Sequence, residues 1–298
     1  MTGFQPEPLS VRTLTDVDGV RVADVRCSAA VSPPGAEETD GLRRVAFPLR
    51  GVFSCVTAGS THVAEPGCAL LLEPGEPYRF GHPVGGGDEC VVIGLDPEYW
   101  AQIVRTGHPL ARTGRLVMPP RHLLDTLLFR ASALRHGDDP HAIRELAMIY
   151  LGNITCADQA ADRRTAPVPP SRHKAAHTAA AFVAEHYAEP MPRLLDAAAA
   201  AAGCSPYHLA RAFRAVHGVT MHAYRERLRV AAALRALAEG ADNLADLGTS
   251  LGYSSHGHFT DRLRRSAGAP PSRVRLLLRE AAGPARLPHS AAVRRPNR

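Results

Sequence analysis

Two stretches of this sequence superimpose fifty positions apart. Leu209 falls on Phe259, Phe213 on Leu263, Arg214 on Arg264, Gly218 on Gly268, Tyr224 on Val274, Arg225 on Arg275 and Leu228 on Leu278. The glycines that open the two stretches, Gly203 and Gly252, are 49 apart, so the second opening turn carries one extra residue. Register over so many positions is not a chance match, and two copies are too few for a solenoid. The fold must therefore hold two copies of one supersecondary unit.

The first unit reads as follows. "RLLDAAAAAA" (193–202) is a short helix whose alanines allow close packing. Gly203 ends it in a left-handed conformation that suits glycine. Ser205 is a good N-cap, and Pro206 suits the first helical position. The next helix turns Leu209, Ala212, Phe213 and Val216 inward, at i, i+3, i+4 and i+7, and leaves Tyr207, Ala210, Arg211 and Arg214 outward. A short helix, a glycine turn and a second helix with an apolar back and an arginine-bearing front form a helix-turn-helix pattern. The second unit repeats it. "NLADLGTSL" (243–251) turns Leu244, Leu247 and Leu251 inward, and Ser255 caps the following helix. There Phe259 and Leu263 face in, while His256, Gly257, Thr260, Asp261 and Arg264 face out. One such unit could be an ordinary helical hairpin; two in register point to DNA. Between them, "TMHAYRERLRVAAALRALAEG" (220–240) has helical period and no glycine or proline before its end. About 18 helical residues span ~27 Å. A rod of that length can hold two reading helices about one DNA turn, ~34 Å, apart.

Charge supports the same reading. The net charge is +6, but residues 1–171 carry −4 and residues 172–298 carry +10. A basic rear half behind an acidic front suits a polyanionic partner. Lys174 is the sole lysine; the arginine and alanine bias is compositional and carries no function by itself. With 298 residues, 45% of them hydrophobic, the chain can build two ordinary domains. No apolar run nears the roughly 20 residues of a bilayer span. "MTGFQPEPLSVRT" lacks the basic and apolar regions of a secretory signal, so a cytoplasmic protein with no membrane partner is expected. Cysteines at 27, 55, 68, 90, 156 and 204 form no C-x-x-C pair and lack the spacing of structural zinc ligands. They read as reduced, buried small hydrophobes, with a redox sensor using Cys55, Cys68 or Cys90 as the alternative.

The front of the chain suggests an all-β sandwich or barrel. "VRVADVRC" (20–27), "LRRVAFPLRGVFSCV" (42–56), "CALLLE" (68–73) and "ECVVIGLD" (89–96) read as strands between Gly/Pro turns. "EYWAQIVRT" follows as a short helix. A helical hairpin over about 120–156 then carries Leu123, Leu124, Leu127, Leu128, Ala131 and Leu134 on one arm. Ile143, Leu146, Ala147, Tyr150 and Ile154 lie on the other. Its apolar face either packs on the β-domain or forms a dimer seam. The expected division is a sensor and dimerisation domain at 1–158, a polar, proline-bearing linker at 159–173, a DNA-binding domain at 174–283 and a disordered basic tail at 284–298.

These motifs resemble a known family. "GYSSHGHFTDRLRRSAGAPPSRVR" and "LARAFRAVHGVTMHAYRERLR" are similar to the signature of the AraC/XylS family of bacterial transcription regulators. "GCALLLEPGEPYRFGHP" (67–83) resembles the cupin-type sensor domain that often precedes it. The resemblance implies an α+β chain: a cupin-like β-barrel with a helical hairpin, then an all-α domain of two helix-turn-helix units joined by a long helix. It implies a sequence-specific regulator, not an enzyme. The partners implied are double-stranded promoter or operator DNA, a small-molecule effector, RNA polymerase and a second copy of the chain. It places base contacts at Tyr207, Ala210 and Arg211, and at His256, Gly257, Thr260 and Asp261. Arg211 is the best candidate for bidentate bonding to guanine. Ser205, Arg214, Arg225, Ser255, Arg264, Arg265, Arg273 and Arg275 are candidates for phosphate contacts. Asp261 stands where arginine is common in the family. It can accept from cytosine or pair with Arg264 or Arg265, and pairing is favoured. Leu263 replaces the usual phenylalanine. Metal-binding cupins place histidine after the Pro-Gly-x-Pro turn; here Tyr78 stands there, and His62 and His82 are stray, so no metal and no cofactor are expected. Phe53, Tyr78 and Phe80 either line an effector pocket or fill the core. The readings that remain beside a sensor are a front domain that only dimerises and a cupin enzyme fused to a DNA-binding domain.

Overall fold

The computed structural model describes residues 9–58, 60–105, 108–111, 114–154 and 169–283. The expected tail, Cys156 and residues 159–168 of the expected linker lie outside them.

The chain opens with a hairpin of β1 (Leu9–Val17) and β2 (Val20–Cys27). Its two-residue Asp18-Gly19 loop takes positive φ at both positions, 46° and 73°. That matches the right-handed twist of the strands it joins. β3 (Arg43–Arg50), β4 (Phe53–Thr57), β5 (Thr61–Ala64), β6 (Cys68–Leu72), β7 (Tyr78–Gly81) and β8 (Asp88–Leu95) follow. After α1 (Pro97–Arg105) and β9 (Gly114–Val117), α2 (His122–Arg135) and α3 (Pro140–Gly152) form the expected hairpin. The helical half comprises α4 (Pro170–Glu185), α5 (Leu194–Ala201), α6 (Pro206–His217), α7 (Met221–Ala238), α8 (Leu244–Ser250), α9 (His256–Ala267) and α10 (Pro271–Ala282). The chain is α+β, a two-sheet β-domain followed by helices. No described helix is long and apolar enough to cross a membrane.

Two antiparallel sheets, ordered β1-β2-β8-β3-β6-β9 and β5-β4-β7, face each other. Ala46, Phe53, Cys55, Leu70, Leu72, Tyr78 and Cys90 fill the space between them. The other face of the larger sheet carries Val45, Phe47, Leu71, Val91 and Ile93, in one core with α2 and α3. A sheet covered on both faces loses alternation, and β6, "CALLL", is buried at every position. A buried pair ties α2 to β2: Arg130 donates to both oxygens of Asp24, at 2.6 and 2.9 Å.

The hairpin spends its apolar face within the chain. α3 lies on β1 and β2, and α2 lies on β3 and α10. The expected boundary at 174 falls inside α4, which starts at Pro170 because proline suits a first helical turn.

Candidate nucleic-acid interface

α5 and α6 form the first helix-turn-helix unit. Gly203, at φ 64°, turns between them. The Ser205 hydroxyl accepts from the His208 amide, and Pro206 opens α6. Leu209, Ala212 and Phe213 are buried. Val216 is only half-buried, and the fourth inward position belongs to His217, which packs on Phe213 with ring centroids 4.5 Å apart. Tyr207, Ala210, Arg211 and Arg214 are exposed. Arg211 reaches back one turn: its Nη1 donates to the Tyr207 hydroxyl at 3.2 Å, with its guanidinium carbon 5.7 Å from the ring centroid. Two of the outward groups thus form one amphipathic, cationic surface.

The second unit repeats the design. Asn243 caps α8 by accepting from the Ala245 and Asp246 amides. Leu251 is buried, Leu244 and Leu247 are partly so, and Gly248 lets α8 press against Phe259 of α9. Ser255 caps α9 by accepting from the His258 amide at 3.1 Å. Phe259 and Leu263 point inward. His256, Gly257, Asp261, Arg264 and Arg265 are exposed, and Thr260 is half-buried with its hydroxyl 3.5 Å from His256 Nε2. Asp261 pairs with Arg265 at 2.7 Å, one turn along the helix. α7, 18 residues long, touches both units.

Two of the expected phosphate contacts lie elsewhere. Arg225 is only 8% exposed. Its guanidinium donates to the Tyr187 carbonyl at 2.9 Å and to the Glu189 carbonyl, so it closes the α4–α5 connection onto α7. Arg275 donates to Asp242 Oδ1 at 3.0 Å and to the Asp242 carbonyl at 3.3 Å, locking α10 to the turn before α8. Arg214, Arg264 and Arg273 are exposed.

In the β-domain, Phe80 meets Phe53 edge-to-face and Tyr78 at a tilt, at 5.6 and 5.1 Å between centroids, and the three sit in or against the core between the sheets. They line no described cleft. Burial pushes the Cys55 and Cys68 thiols up to about 12 and raises Cys90 as well. The redox-sensor alternative therefore lacks the exposed, low-pKa thiolate it needs.

A cleft of about 1160 Å³ opens instead between the β-domain and the first unit. His62 of β5, Arg115 of β9, His173, Lys174 and His177 of α4 and His217 of α6 line it. Burial, then the nearby cations, lower the imidazoles of His62 and His217, and His177 falls to about 4. Arg115 pairs with the fully buried Glu65. The short stretch from Arg115 to Arg121 also meets the helical half repeatedly. Arg115 donates to the His217 carbonyl at 3.1 Å, and a Cβ on Gly218 would lie 3.1 Å from Val117. The Met118 carbonyl accepts from Arg227 of α7 at 3.5 Å, and a Cβ on Gly268 would lie 3.4 Å from Arg121. Spacing could not show these contacts, since their partners lie more than a hundred residues away.

Comparison with known proteins fits this anatomy. A helix-turn-helix domain family matches residues 198–276, and an AraC-binding-like domain family matches residues 13–148. The chain therefore has a helix-turn-helix half behind an AraC-binding-like half. Each half is thus similar to a domain of AraC-type regulators, and neither match alone spans half of the chain. The bifunctional transcriptional activator/DNA repair enzyme AdaA of Bacillus subtilis (strain 168) is 30% identical over 71 residues, which is 24% of this chain and 34% of that protein. The chain thus spans about a third of the length of that curated relative. ToxT from Vibrio cholerae O395 is 10% identical with a TM-score of 0.35, covering 87% of this chain and 98% of that one. A cupin superfamily protein from Desulfitobacterium hafniense DCB-2 is 14% identical with a TM-score of 0.27, covering 32% and 83%.

Proposed function

We propose that this chain binds double-stranded DNA through the exposed fronts of α6 and α9 and answers to a small anionic effector in the cleft between its domains. The observation that supports it most is the duplicated unit. Two serine-capped helices, each with a buried apolar back and an exposed polar front, flank one 18-residue helix. A helix front with arginine at its N-terminal half suits a major groove, where a guanidinium can engage guanine O6 and N7 together. Arg211 is the base reader, oriented by Tyr207. Arg214, Arg264 and Arg273 hold phosphates and set register without reading sequence. Asp261 serves mainly to hold Arg265, since an unpaired carboxylate among phosphates is repelled.

The effector reading draws on the cleft. Its walls come from both halves, and its polar lining is imidazole, guanidinium, ammonium and hydroxyl, with no carboxylate among the described lining residues. A carboxylate or phosphate there would gain charge-assisted hydrogen bonds from both domains.

Titrating cognate and scrambled DNA at two salt concentrations tests the assignment. Arg211→Ala should reduce discrimination at one base pair by about 1–3 kcal/mol. Arg264→Ala should weaken all sequences alike and lower the salt slope by about one. Equal losses of both kinds from both variants would refute the division. Thermal shifts with small carboxylates and phosphates, lost in Lys174→Gln, test the cleft. No shift from any of them would leave the front domain as a dimerising module.

A further inference from the structure

Among the described residues, one group brings together a thiol, an imidazole and a carboxylate. One ligand atom from each of Cys27, His82 and Asp88 lies within 4.8 Å of the others. The fold brings them together from three places. Cys27 ends β2 and Asp88 opens β8, and the two are direct partners across the antiparallel ladder. His82 follows β7 and is bridged to Ser32. Gly87 makes the approach possible: it has φ 71°, and a Cβ there would lie 2.0 Å from the Cys27 carbonyl oxygen.

We propose that Cys27, His82 and Asp88 bind a divalent transition metal, zinc by the character of its ligands, with a fourth position left to water or an exogenous ligand. Sulfur, imidazole nitrogen and carboxylate oxygen are the three donor types zinc accepts. Tetrahedral bonds of about 2.0–2.3 Å place donors about 3.3–3.8 Å apart. His82 Nε2 and Asp88 Oδ2 are 3.0 Å apart, about 0.3 Å short of that range, so the two need only spread slightly to share an ion. The outer limit of 4.8 Å for the set leaves the thiol about 1 Å to close, which a change of χ1 supplies. Asp88 is 6% exposed, and its Oδ2 lies 3.0 Å from His82 Nε2 but makes no well-directed hydrogen bond. An outer partner is in place: Ser32 Oγ lies 3.3 Å from His82 Nδ1. A ligating histidine commonly spends its second nitrogen in that way. This leaves Nε2 for the metal.

The proton balance is simple. The Cys27 S–H bond breaks, its proton goes to solvent and an Sγ–metal bond forms. The neutral imidazole keeps its one proton on Nδ1, which donates a hydrogen bond to the Ser32 hydroxyl oxygen and leaves the Nε2 lone pair for the metal. No electron is transferred. Sequence spacing could not reveal the set, because its members are 55 and six residues apart.

The test uses the full chain, reduced, stripped with a chelator and titrated with cobalt(II). The expected result is one equivalent bound, with a thiolate-to-cobalt charge-transfer band that zinc displaces. Cys27→Ser should abolish the band and His82→Gln should weaken binding at least about tenfold, while Cys204→Ser should change neither. Circular dichroism checks that each variant folds, and His82→Gln alone decides the matter if Cys27→Ser does not. Absence of the band at one equivalent, its survival in a folded Cys27→Ser protein, or undiminished affinity in His82→Gln would overturn the site and leave a plain His–Asp ion pair. DNA binding is not the readout, so the result stands apart from the regulator reading.

Discussion

Arginines that look alike in the basic half separate once the chain folds. Arg211 and Arg264 are exposed, whereas Arg225, in the same repeat, faces inward and satisfies two carbonyls. Hydrogen bonds from a charged donor contribute about 1.5–3 kcal/mol each. Arg225→Ala should therefore lower unfolding free energy in urea by about 2–4 kcal/mol and leave the salt slope of DNA binding unchanged. Asp261→Ala should do the reverse. Its exposed pair with Arg265 contributes only about 0.3–0.5 kcal/mol, so stability barely moves. The freed guanidinium should tighten binding to any duplex and steepen the salt slope by up to about one. His122 gives a pH signature. Burial lowers its imidazole from 6.5 to about 4, and it sits against Phe47, Thr126 and Tyr150. Between those values the unfolded chain binds the extra proton, so stability is complete above pH 6.5 and falls as pH drops. For this group the loss between pH 7 and pH 5 is about 2 kcal/mol. In His122→Gln the urea-measured drop over that interval should shrink by that amount. The capping serines and the Phe259 and Leu263 positions were legible in the sequence. The inward turn of Arg225 was not, because a helix period says which face a residue occupies but not which carbonyls wait there.

The two opening turns show how equivalent elements diverge. Gly203 and Gly252 both take positive φ, 64° and 74°. A Cβ on Gly203 would meet nothing within 4 Å, but one on Gly252 would lie 2.1 Å from the Ala188 carbonyl oxygen. Gly203→Ala should cost only the left-handed backbone penalty, about 1–2 kcal/mol. Gly252→Ala adds a backbone clash and should cost visibly more in the same urea experiment. Strand legibility followed burial. β6 stood out as an apolar run because it is buried at every position, and β2, β3 and β8 carry enough buried apolar residues to read as strands. β1 is an edge strand with its first five residues exposed, and β5, β7 and β9 are four residues each. Such short or edge segments carry too few apolar positions to show a period. The single stretch 42–56 became two strands because Gly51, at φ 74°, turns it back.

At the scale of the molecule, one core runs through both halves. Phe47 and Ile93 of the sheet, Leu124 of α2, Leu234 of α7 and Leu278 of α10 belong to the same buried cluster. Arg235 of α7 adds an ion pair to Glu89 of β8 at 3.4 Å. The halves should therefore unfold together. In urea, fluorescence of Trp100, the sole tryptophan and a β-domain residue, should change at the same midpoint as helical circular dichroism. Two separated transitions would show that the halves are independent. Composition and the charge step between the halves were enough to foresee two domains, but not how firmly they are joined, since that depends on contacts between distant residues. The stretch from Arg115 to Arg121 has the widest reach of all. Its seven residues sit against the trailing ends of both reading helices and the rod between them, so it acts as a crossbar. Losing that crossbar would take a shared support from the ends of α6 and α9 and from α7 together, rather than from one helix alone.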